Sequence, residues 1–287
     1  LRHYDLVIGY STDPIIPYAA GKPYFALEHG TLREIPFKPD RQGRLTALAY
    51  RHAEHVFVTN YDCLPNARLL AGERHSFINH PYDEDHGLRI GGVDLLRGEL
   101  RRELDAERLI FYPTRHDWVQ GTGYADKAND LFLRAVARLR EQGLRIGLVC
   151  CKWGRNVAQS QALIASLGCA GAVRWVEPMG IIRFERTARA CDVVADQFLL
   201  GAFGGVTFKA LAVGVPVCTY IEGRLLEGLF GELPPVINCR TEEDIVRELG
   251  GALADGARLA DLGARARAWT RAHHSGRATI TTQVREF

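Results

Sequence analysis

The chain alternates short apolar runs with amphipathic stretches along most of its length. The apolar runs are rich in β-branched and aromatic residues and are bounded by glycine, proline or polar residues, which is typical of buried strands. Several stretches between them have apolar residues at the spacing of one helix face. Because strands that alternate with helices form parallel sheets covered by helices, the pattern predicts an α/β fold.

A first series of elements predicts a small N-terminal domain. Its predicted strands are residues 4–9, 24–28, 55–59 and 75–79, and its predicted helices are residues 44–54, 64–71 and 94–104. Turn residues around Asp13 and between Gly21 and Pro23 separate the first two strands. The charged helix at 94–104 closes the series, so we expect a first Rossmann-like domain at 1–104.

A second series predicts a complete doubly wound domain at 105–272. Its predicted strands are residues 108–112, 145–151, 172–176, 192–195, 215–220 and 235–238, and its predicted helices are residues 129–142, 158–167, 181–190, 206–213, 241–250 and 257–272. A last helix is expected within 273–287, where it can pack back on the first domain. Ligands of such sheets bind beyond the carboxyl ends of the strands, so two facing domains predict one cleft.

Length and composition narrow the class of protein. With 287 residues, 47% of them hydrophobic, the chain can fill two domains. A net charge of +2 gives no reason to expect nucleic acid or an anionic membrane as a partner. No apolar run approaches the ~20 residues that a transmembrane segment needs. We therefore expect a protein without a transmembrane segment.

The seven cysteines form no CxxC pair, and most lie in apolar, strand-like surroundings. They are expected to be reduced core thiols of a cytoplasmic protein. The chain begins at Leu1, and its only methionine is Met179. We expect either processing at this end or a natural beginning that is missing.

The stretch from Asp196 to Val217 carries the strongest chemical signal. Gly201, Gly204 and Gly205 lie directly before a predicted helix. Glycines allow a ligand to approach the backbone closely, and the start of a helix attracts anions. The alternative is a tight connection between strand and helix that binds no ligand.

Taken in order, the motifs of the second domain resemble those of GT-B glycosyltransferases, in particular the retaining family 4 of the group 1 type. The motifs are Thr114-Arg115, Lys127 ahead of a helix, Trp175-Val-Glu-Pro-Met179, Asp196-Gln197, Gly201-Ala-Phe-Gly204 and Ala210-Leu-Ala-Val-Gly-Val-Pro-Val217. Weaker matches in the first domain are Glu28-His29-Gly30 and the segment 77–83. The resemblance covers essentially the whole second domain, and its last motif is the most specific.

This resemblance implies a chemistry and a set of partners. Members of the family transfer a sugar from a nucleoside-diphosphate sugar to an acceptor hydroxyl, with retention at the anomeric carbon and with no obligatory metal or other cofactor. The first domain would then lie on the acceptor side, and the second would bind the nucleotide sugar. The acceptor would be a sugar, a lipid-linked molecule or a small molecule. A peripheral contact with a membrane is compatible with a lipid-linked acceptor.

Three residues are candidates for the catalytic machinery by the same resemblance. Arg115 and Lys127 correspond to the basic pair on the diphosphate, where arginine bonds two oxygens and lysine acts as a point charge. Singly, each could equally be a solvated surface cation. His29 corresponds to a histidine that reaches the donor sugar, and a satisfied structural histidine is the alternative.

The remaining candidates are donor-binding residues. They are Trp153 and Gly154 after the second strand of this domain, Glu177 and Pro178 after the third, Asp196 and Gln197 after the fourth, and Gly201, Ala202, Phe203, Gly204, Gly205 and Lys209 around the glycine turn. Asp196 and Gln197 can bond sugar hydroxyls or cap the glycine turn. Trp153 can flank the cleft or pack in the core.

The chain departs from the family at two places. Gly201 and Lys209 stand where the family has two glutamates, the second of which binds the ribose hydroxyls. Lysine donates hydrogen bonds but cannot accept them, so Lys209 either contacts phosphate or is an exposed helix residue. The first domain also lacks the opening glycine-rich unit, so either the chain is a fragment or its fold is abbreviated.

Two other functions compete with a glycosyltransferase. A degenerate nucleotide-sugar-binding protein of the same fold would explain Lys209 and the short first domain. A nucleotide-sugar epimerase would need a pair of carboxylates in the cleft to move protons at carbon. The sequence contains no well-placed pair of this kind, so the epimerase ranks last.

Overall fold

Two separate parallel sheets form the framework of the chain. The computed structural model describes residues 3–79, 82–83, 85–119 and 126–286. His80 and Pro81 of the segment 77–83, and Phe287 of the predicted last helix, lie outside the described residues. The chain divides into two compact units, Leu1–Pro81 with Gly276–Phe287, and Tyr82–Ser275.

The first unit contains a four-stranded sheet in the order β1-β2-β3-β4. Its strands are β1 (Val7–Tyr10), β2 (Tyr24–Leu27), β3 (His55–Val58) and β4 (His75–Phe77), and its helices are α1 (Ile15–Ala19), α2 (Arg41–His52), α3 (Leu64–Ala71) and α13 (Gly276–Glu286). β3 is buried along its whole length because apolar side chains cover both of its faces. Asp40 caps α2 by accepting a 2.7 Å hydrogen bond from the amide of Gly43.

The second unit contains a six-stranded sheet in the order β10-β9-β8-β5-β6-β7. Its strands are β5 (Arg108–Tyr112), β6 (Ile146–Cys151), β7 (Val173–Val176), β8 (Val193–Ala195), β9 (Val217–Thr219) and β10 (Ile237–Asn238). Its helices are α4 (Val93–Glu103), α5 (Asn129–Glu141), α6 (Val157–Ser166), α7 (Ile181–Ala190), α8 (Gly205–Ala212), α9 (Gly223–Phe230), α10 (Glu242–Asp244), a π-helical turn (Ile245–Leu249), α11 (Gly250–Ala254) and α12 (Gly256–His273). All of the strand pairs are parallel.

The strand order of the second unit reverses at β5. From there the chain moves outward to β6 and β7, then returns to place β8 on the other side of β5. In open α/β sheets, ligands bind at the carboxyl edge where the order reverses. The crevice beyond β5 and β8 is therefore the expected binding position in this unit.

The boundary between the compact units differs from the predicted domain boundary. The predicted division followed residue 104, whereas the first unit ends at Pro81. The helix α4, which was assigned to the first domain, belongs to the second unit, where Leu100 and Leu104 pack in the same apolar cluster as Leu109 of β5. The last helix, α13, clusters with the first unit, and its Thr279 hydroxyl donates a 3.4 Å hydrogen bond to the Asn79 carbonyl.

Two helices lie in stretches for which no helix was predicted. α1 follows Pro14 in a stretch predicted as a turn, and its five residues are too few to show a helical period. α9 has Gly223 as its first residue and ends at Gly231, which has a positive φ. Thr241 was predicted to begin a helix, and it does so with a capping box completed by Asp244.

The seven cysteines are free thiols, and six of them are buried.

Within the described ranges, no helix combines the length and the apolar character needed to cross a membrane.

Candidate functional site

Asp196 joins three elements at the point where the strand order of the second unit reverses. The residue follows β8 and is only 4% exposed. Its carboxylate accepts a 3.0 Å hydrogen bond from the Thr114 hydroxyl, beyond β5, and a 2.7 Å bond from the Thr207 hydroxyl on α8. Both carboxylate oxygens therefore fix the framework of the site. This arrangement supports a structural role for Asp196, which is the alternative to its predicted contact with a donor.

Gln197 connects Lys127 to the glycine turn. Its side-chain oxygen accepts a 2.5 Å hydrogen bond from Lys127 Nζ, and its side-chain amide donates to the carbonyl of Ala202. The Gln197 backbone carbonyl also accepts a 2.8 Å bond from the Thr219 hydroxyl. Since Gln197 is only 2% exposed, it acts here as a buried link that holds the half-buried Lys127 ammonium beside the turn.

The glycine turn leads into α8 without a side-chain cap. Gly201 has a φ of +73°, and a Cβ there would lie 3.0 Å from the ring of Tyr220, so this position requires glycine. Gly204 is the N-cap residue, and no described side chain caps the helix. The first amides of α8 are therefore left for an acceptor from outside the helix.

Phe203, within the same turn, packs into the protein. Its ring centroid lies 5.9 Å from that of Trp269 and 6.1 Å from that of His274. Phe203 also belongs to the apolar cluster beneath the sheet. The ring of this partly buried residue is therefore used at least in part for packing within the protein.

Arg115 forms part of a charged cluster after β5. Its Nε lies 2.7 Å from Asp117 Oδ2, within ion-pair distance, although the N–H is not aligned for a hydrogen bond. Asp117 is buried and also pairs with Arg155, whose Nε lies 3.2 Å from Oδ1. The carboxylate thus links arginines that follow β5 and β6. The Arg115 side chain remains 38% exposed and can meet a ligand.

The loops after β5 and β6 interlock through backbone contacts. Gly154 has a φ of +107°, and a Cβ at this position would lie 2.5 Å from the carbonyl oxygen of His116. The Trp153 indole N–H donates a 2.6 Å hydrogen bond to the Pro113 carbonyl. Only glycine permits such a close approach, so Gly154 shapes the loop that presents Trp153.

His116 is completely buried beneath these loops. Its Nδ1 lies 2.9 Å from the Ser160 hydroxyl, and its ring packs 5.2 Å from the Trp175 ring. Burial lowers the pKa of His116 to about 4, and the nearby Asp117 opposes the shift. The imidazole is therefore neutral near pH 7 and stabilises the loop without adding a charge to the site.

A pocket of about 340 Å³ lies beside the start of α8. Its lining consists of Pro113, Cys151, Trp153, Pro178, Met179, Phe184, Gly205, Val206 and Lys209. Four of the predicted donor-binding residues thus meet around one cavity: Trp153, Pro178, Gly205 and Lys209. Trp153 remains 43% exposed, so it is only partly used as core packing.

Several residues of this site were not predicted from the sequence. Thr207 holds Asp196, and Met179 and Phe184 line the pocket. Met179 was quoted only as part of a motif, and Phe184 was visible only as an apolar residue of a predicted helix. Glu177, in contrast, was predicted to bind the donor but is an exposed partner of Lys152, with 3.3 Å between the charged atoms.

His29 lies in the first unit, directly after β2. The residue is exposed, and its ring centroid is 5.4 Å from that of Tyr10 at the end of β1. The turn that carries it is fixed by Glu28, which is completely buried. The Glu28 carboxylate accepts hydrogen bonds from the amides of Thr59 at 3.2 Å and Asn60 at 3.1 Å, and from the amide of Gly30. Glu28 therefore orients the His29 turn through the backbone.

Among the described residues, no group of three or more His, Cys, Asp or Glu side chains could hold a metal ion.

The sequence is similar to known proteins that share one name. The chain is 34% identical over 148 residues to D-inositol 3-phosphate glycosyltransferase from Rhodococcus opacus, and this match covers 49% of the chain and 33% of the relative. The protein of the same name from Salinispora arenicola is 29% identical over 194 residues, covering 58% of the chain and 43% of the relative. The matches thus span less than half the length of these relatives. No protein-family model matches the chain.

Solved structures resemble nearly the whole chain. HepE from Anabaena in complex with UDP and glucose gives a TM-score of 0.77 at 18% identity, covering 99% of this chain and 77% of that one. Sucrose-phosphate synthase from Thermosynechococcus elongatus gives a TM-score of 0.73 at 16% identity, covering 98% and 72%. At these identities the likeness shows the fold, which is the predicted GT-B fold. The chain therefore has the GT-B fold and is similar in sequence, over about half of its length, to relatives named glycosyltransferase.

Proposed function

We propose that the protein is a glycosyltransferase that moves a sugar from a nucleoside-diphosphate sugar to an acceptor hydroxyl. The proposal includes retention at the anomeric carbon and no obligatory metal. The observation that carries it is the pocket beside the uncapped start of α8, at the carboxyl edge where the strand order reverses. An apolar cavity next to free helix amides suits a nucleoside joined to a diphosphate.

The main chemical task is to stabilise the charge on the leaving diphosphate. Fixed donors do this best when they are already oriented, because no reorganisation is then needed during the reaction. The first turn of α8 supplies amides, and Gln197 holds the Lys127 ammonium near that turn. Arg115, placed by Asp117, would add a second cation.

The nucleoside would occupy the pocket between Trp153 and Pro178. Trp153 offers an aromatic face, since its indole N–H is already bonded to the Pro113 carbonyl. His29 would contact the donor sugar or the acceptor, and its fixed turn supports that role.

The relatives indicate the donor more clearly than the acceptor. HepE has been solved with UDP and with UDP-glucose, which supports a uridine diphosphate sugar as the donor here. The curated relatives are named for action on D-inositol 3-phosphate, but their matches reach only part of their length. We therefore leave the acceptor as a sugar, a lipid-linked molecule or a small molecule.

The first experiment measures the thermal stability of the protein with UDP, GDP, ADP and TDP. A nucleotide that binds the native state raises the melting temperature, and we expect at least one of the four to do so. Sugar release is then followed with nucleotide sugars of the same base after treatment with EDTA. NMR of the product reports whether the anomeric configuration is retained.

The competing candidate is a catalytically degenerate nucleotide-sugar-binding protein of the same fold. It is favoured by Gly201 and Lys209 at the two positions where the family resemblance implies glutamates. Stabilisation by a nucleotide without sugar release or transfer from any donor would support this candidate. Stabilisation by none of the four nucleotides would contradict both.

A further inference from the structure

The pocket beside α8 is lined by few side chains that can accept a hydrogen bond from a ligand. Apart from Lys209, its described lining consists of apolar side chains, glycine and one cysteine. Burial raises the pKa of the Cys151 thiol to about 11, so the thiol is neutral and a weak acceptor. The described lining therefore includes no carboxylate and no carboxamide.

Lys209 reaches back along α8 toward the start of the helix. Its Nζ lies 3.9 Å from the position that a Cβ on Gly205 would occupy, one turn earlier. Among the residues that the structure describes, neither an ion pair nor a hydrogen bond joins this ammonium to another residue. A cation near the positive end of a helix is unfavourable by itself, whereas an anion there would be attracted to both.

The polar side chains closest in sequence to the glycine turn are already hydrogen-bonded to other protein groups. Asp196 accepts from Thr114 and Thr207 with its two oxygens. The Gln197 side chain uses its oxygen for Lys127 and its amide for the Ala202 carbonyl. Both side chains are also almost fully buried, with exposures of 4% for Asp196 and 2% for Gln197, so neither is presented to a ribose hydroxyl.

We propose that this site does not recognise the 2′-hydroxyl of the donor's ribose, and that it binds ribonucleoside and 2′-deoxyribonucleoside diphosphates about equally. Lys209 binds the diphosphate in this arrangement. The inference rests on the proposed function and specifies its substrate class. A site rejects an analogue that lacks a hydroxyl chiefly when buried protein groups are thereby left unpaired, and an apolar lining has no such groups to lose.

Titration calorimetry with UDP and dUDP tests the proposal, because the two ligands share the base and the diphosphate. We expect their dissociation constants to differ by less than about tenfold, which corresponds to about 1.4 kcal/mol. UDP binding more than about tenfold tighter than dUDP would overturn the inference and leave the proposed function intact. Binding of neither nucleotide would overturn the proposed function, and this inference with it.

Variants at Lys209 separate the two parts of the proposal. Lys209→Met removes the charge without adding an acceptor, so both nucleotides should bind at least about tenfold more weakly, with their ratio unchanged. Lys209→Glu adds an acceptor, so the ratio should shift about tenfold or more toward UDP. Unchanged affinities in Lys209→Met would contradict the binding of the diphosphate by Lys209, and an unchanged ratio in Lys209→Glu would contradict the inference that the 2′-hydroxyl lies unrecognised beside this position.

Arg271→Glu is the matched control. Arg271 is exposed in the last turn of α12 and lies outside the pocket lining. Its charge reversal should leave both dissociation constants unchanged. Melting temperatures of all three variants establish that the protein remains folded during the titrations.

Discussion

Asp196 and Thr207 are joined by a 2.7 Å hydrogen bond that fastens the end of β8 to the first turn of α8. The same carboxylate also holds Thr114 after β5. One buried side chain therefore fixes the relative positions of two strand ends and the helix that borders the pocket. The position of the free amides of α8 depends on this link.

Replacing Asp196 with alanine should lower both stability and nucleotide binding. The change leaves two buried hydroxyls without their acceptor, and such losses cost about 1–3 kcal/mol each. We expect the free energy of unfolding in urea to fall by about 2–5 kcal/mol. Asp261→Ala serves as a control, because Asp261 is exposed and, among the residues that the structure describes, pairs with Arg265 alone. Equal stabilities of the two variants would contradict the buried role of Asp196.

The double variant Arg115→Ala, Lys127→Ala should bind nucleoside diphosphate more weakly while remaining folded. The loss removes two cations from the proposed diphosphate site, and we expect the dissociation constant to rise at least about tenfold. Titration calorimetry with UDP measures the change. Arg224→Ala, an exposed position on α9, provides the control. An unchanged dissociation constant would remove Arg115 and Lys127 from the site.

Gly154→Ala and Gly143→Ala should differ sharply in their effect on stability. Both glycines have positive φ values, of +107° and +96°, so alanine strains the backbone at either position. A Cβ at Gly154 would also lie 2.5 Å from the His116 carbonyl oxygen, whereas a Cβ at Gly143 would have no described heavy atom within 4 Å beyond the glycine itself and its chain neighbours. We expect Gly143→Ala to cost about 1–3 kcal/mol. Gly154→Ala should cost more or prevent folding, as urea denaturation and soluble yield would show.

His116 should make stability fall as the pH is lowered below about 6.5. Its pKa is about 4 in the folded protein and ordinarily near 6.5, so the unfolded chain binds the proton more readily between these values. The contribution is complete above pH 6.5 and is lost progressively toward pH 4. Urea denaturation should show up to about 3 kcal/mol of this loss.

The His116→Gln variant tests whether His116 causes this loss of stability, because glutamine carries no charge at pH 7 or at pH 5. Its stability should change less between pH 7 and pH 5 than that of the native protein. Identical changes in the two proteins would show that other groups cause the acid sensitivity.

The long elements could be read from the sequence because their patterns extend over several periods. The predicted helix at 129–142 corresponds to α5 at Asn129–Glu141, and the predicted strand at 108–112 to β5. α1 is too short to reveal a period. The predicted membership of α4 failed for a different reason. Tertiary packing decides which sheet covers the apolar face of an amphipathic helix. In this protein Leu100 of α4 packs with β5.

Candidate site residues could be found from the sequence because parallel strands bring their carboxyl ends to one edge. This argument, together with the family resemblance, selected Trp153, Pro178 and the glycine turn as candidates. It could not show that the Asp196 carboxylate accepts hydrogen bonds from two hydroxyls, since Thr114 lies 82 residues away along the chain and Thr207 lies 11 residues away across the glycine turn. Nor could it indicate that Phe203 packs against Trp269.

The sequence by itself determined the α/β class, the strand ends that carry polar residues and the glycine turn ahead of α8. These features follow from local periodicity and from backbone conformations that only glycine adopts readily. The tertiary structure alone decided which of those polar groups remain available to a ligand. Asp196 and Gln197 are hydrogen-bonded to other protein groups, whereas Lys209 lines the pocket. The availability of a side chain depends on neighbours that are distant in the chain, and the spacing of residues does not encode it.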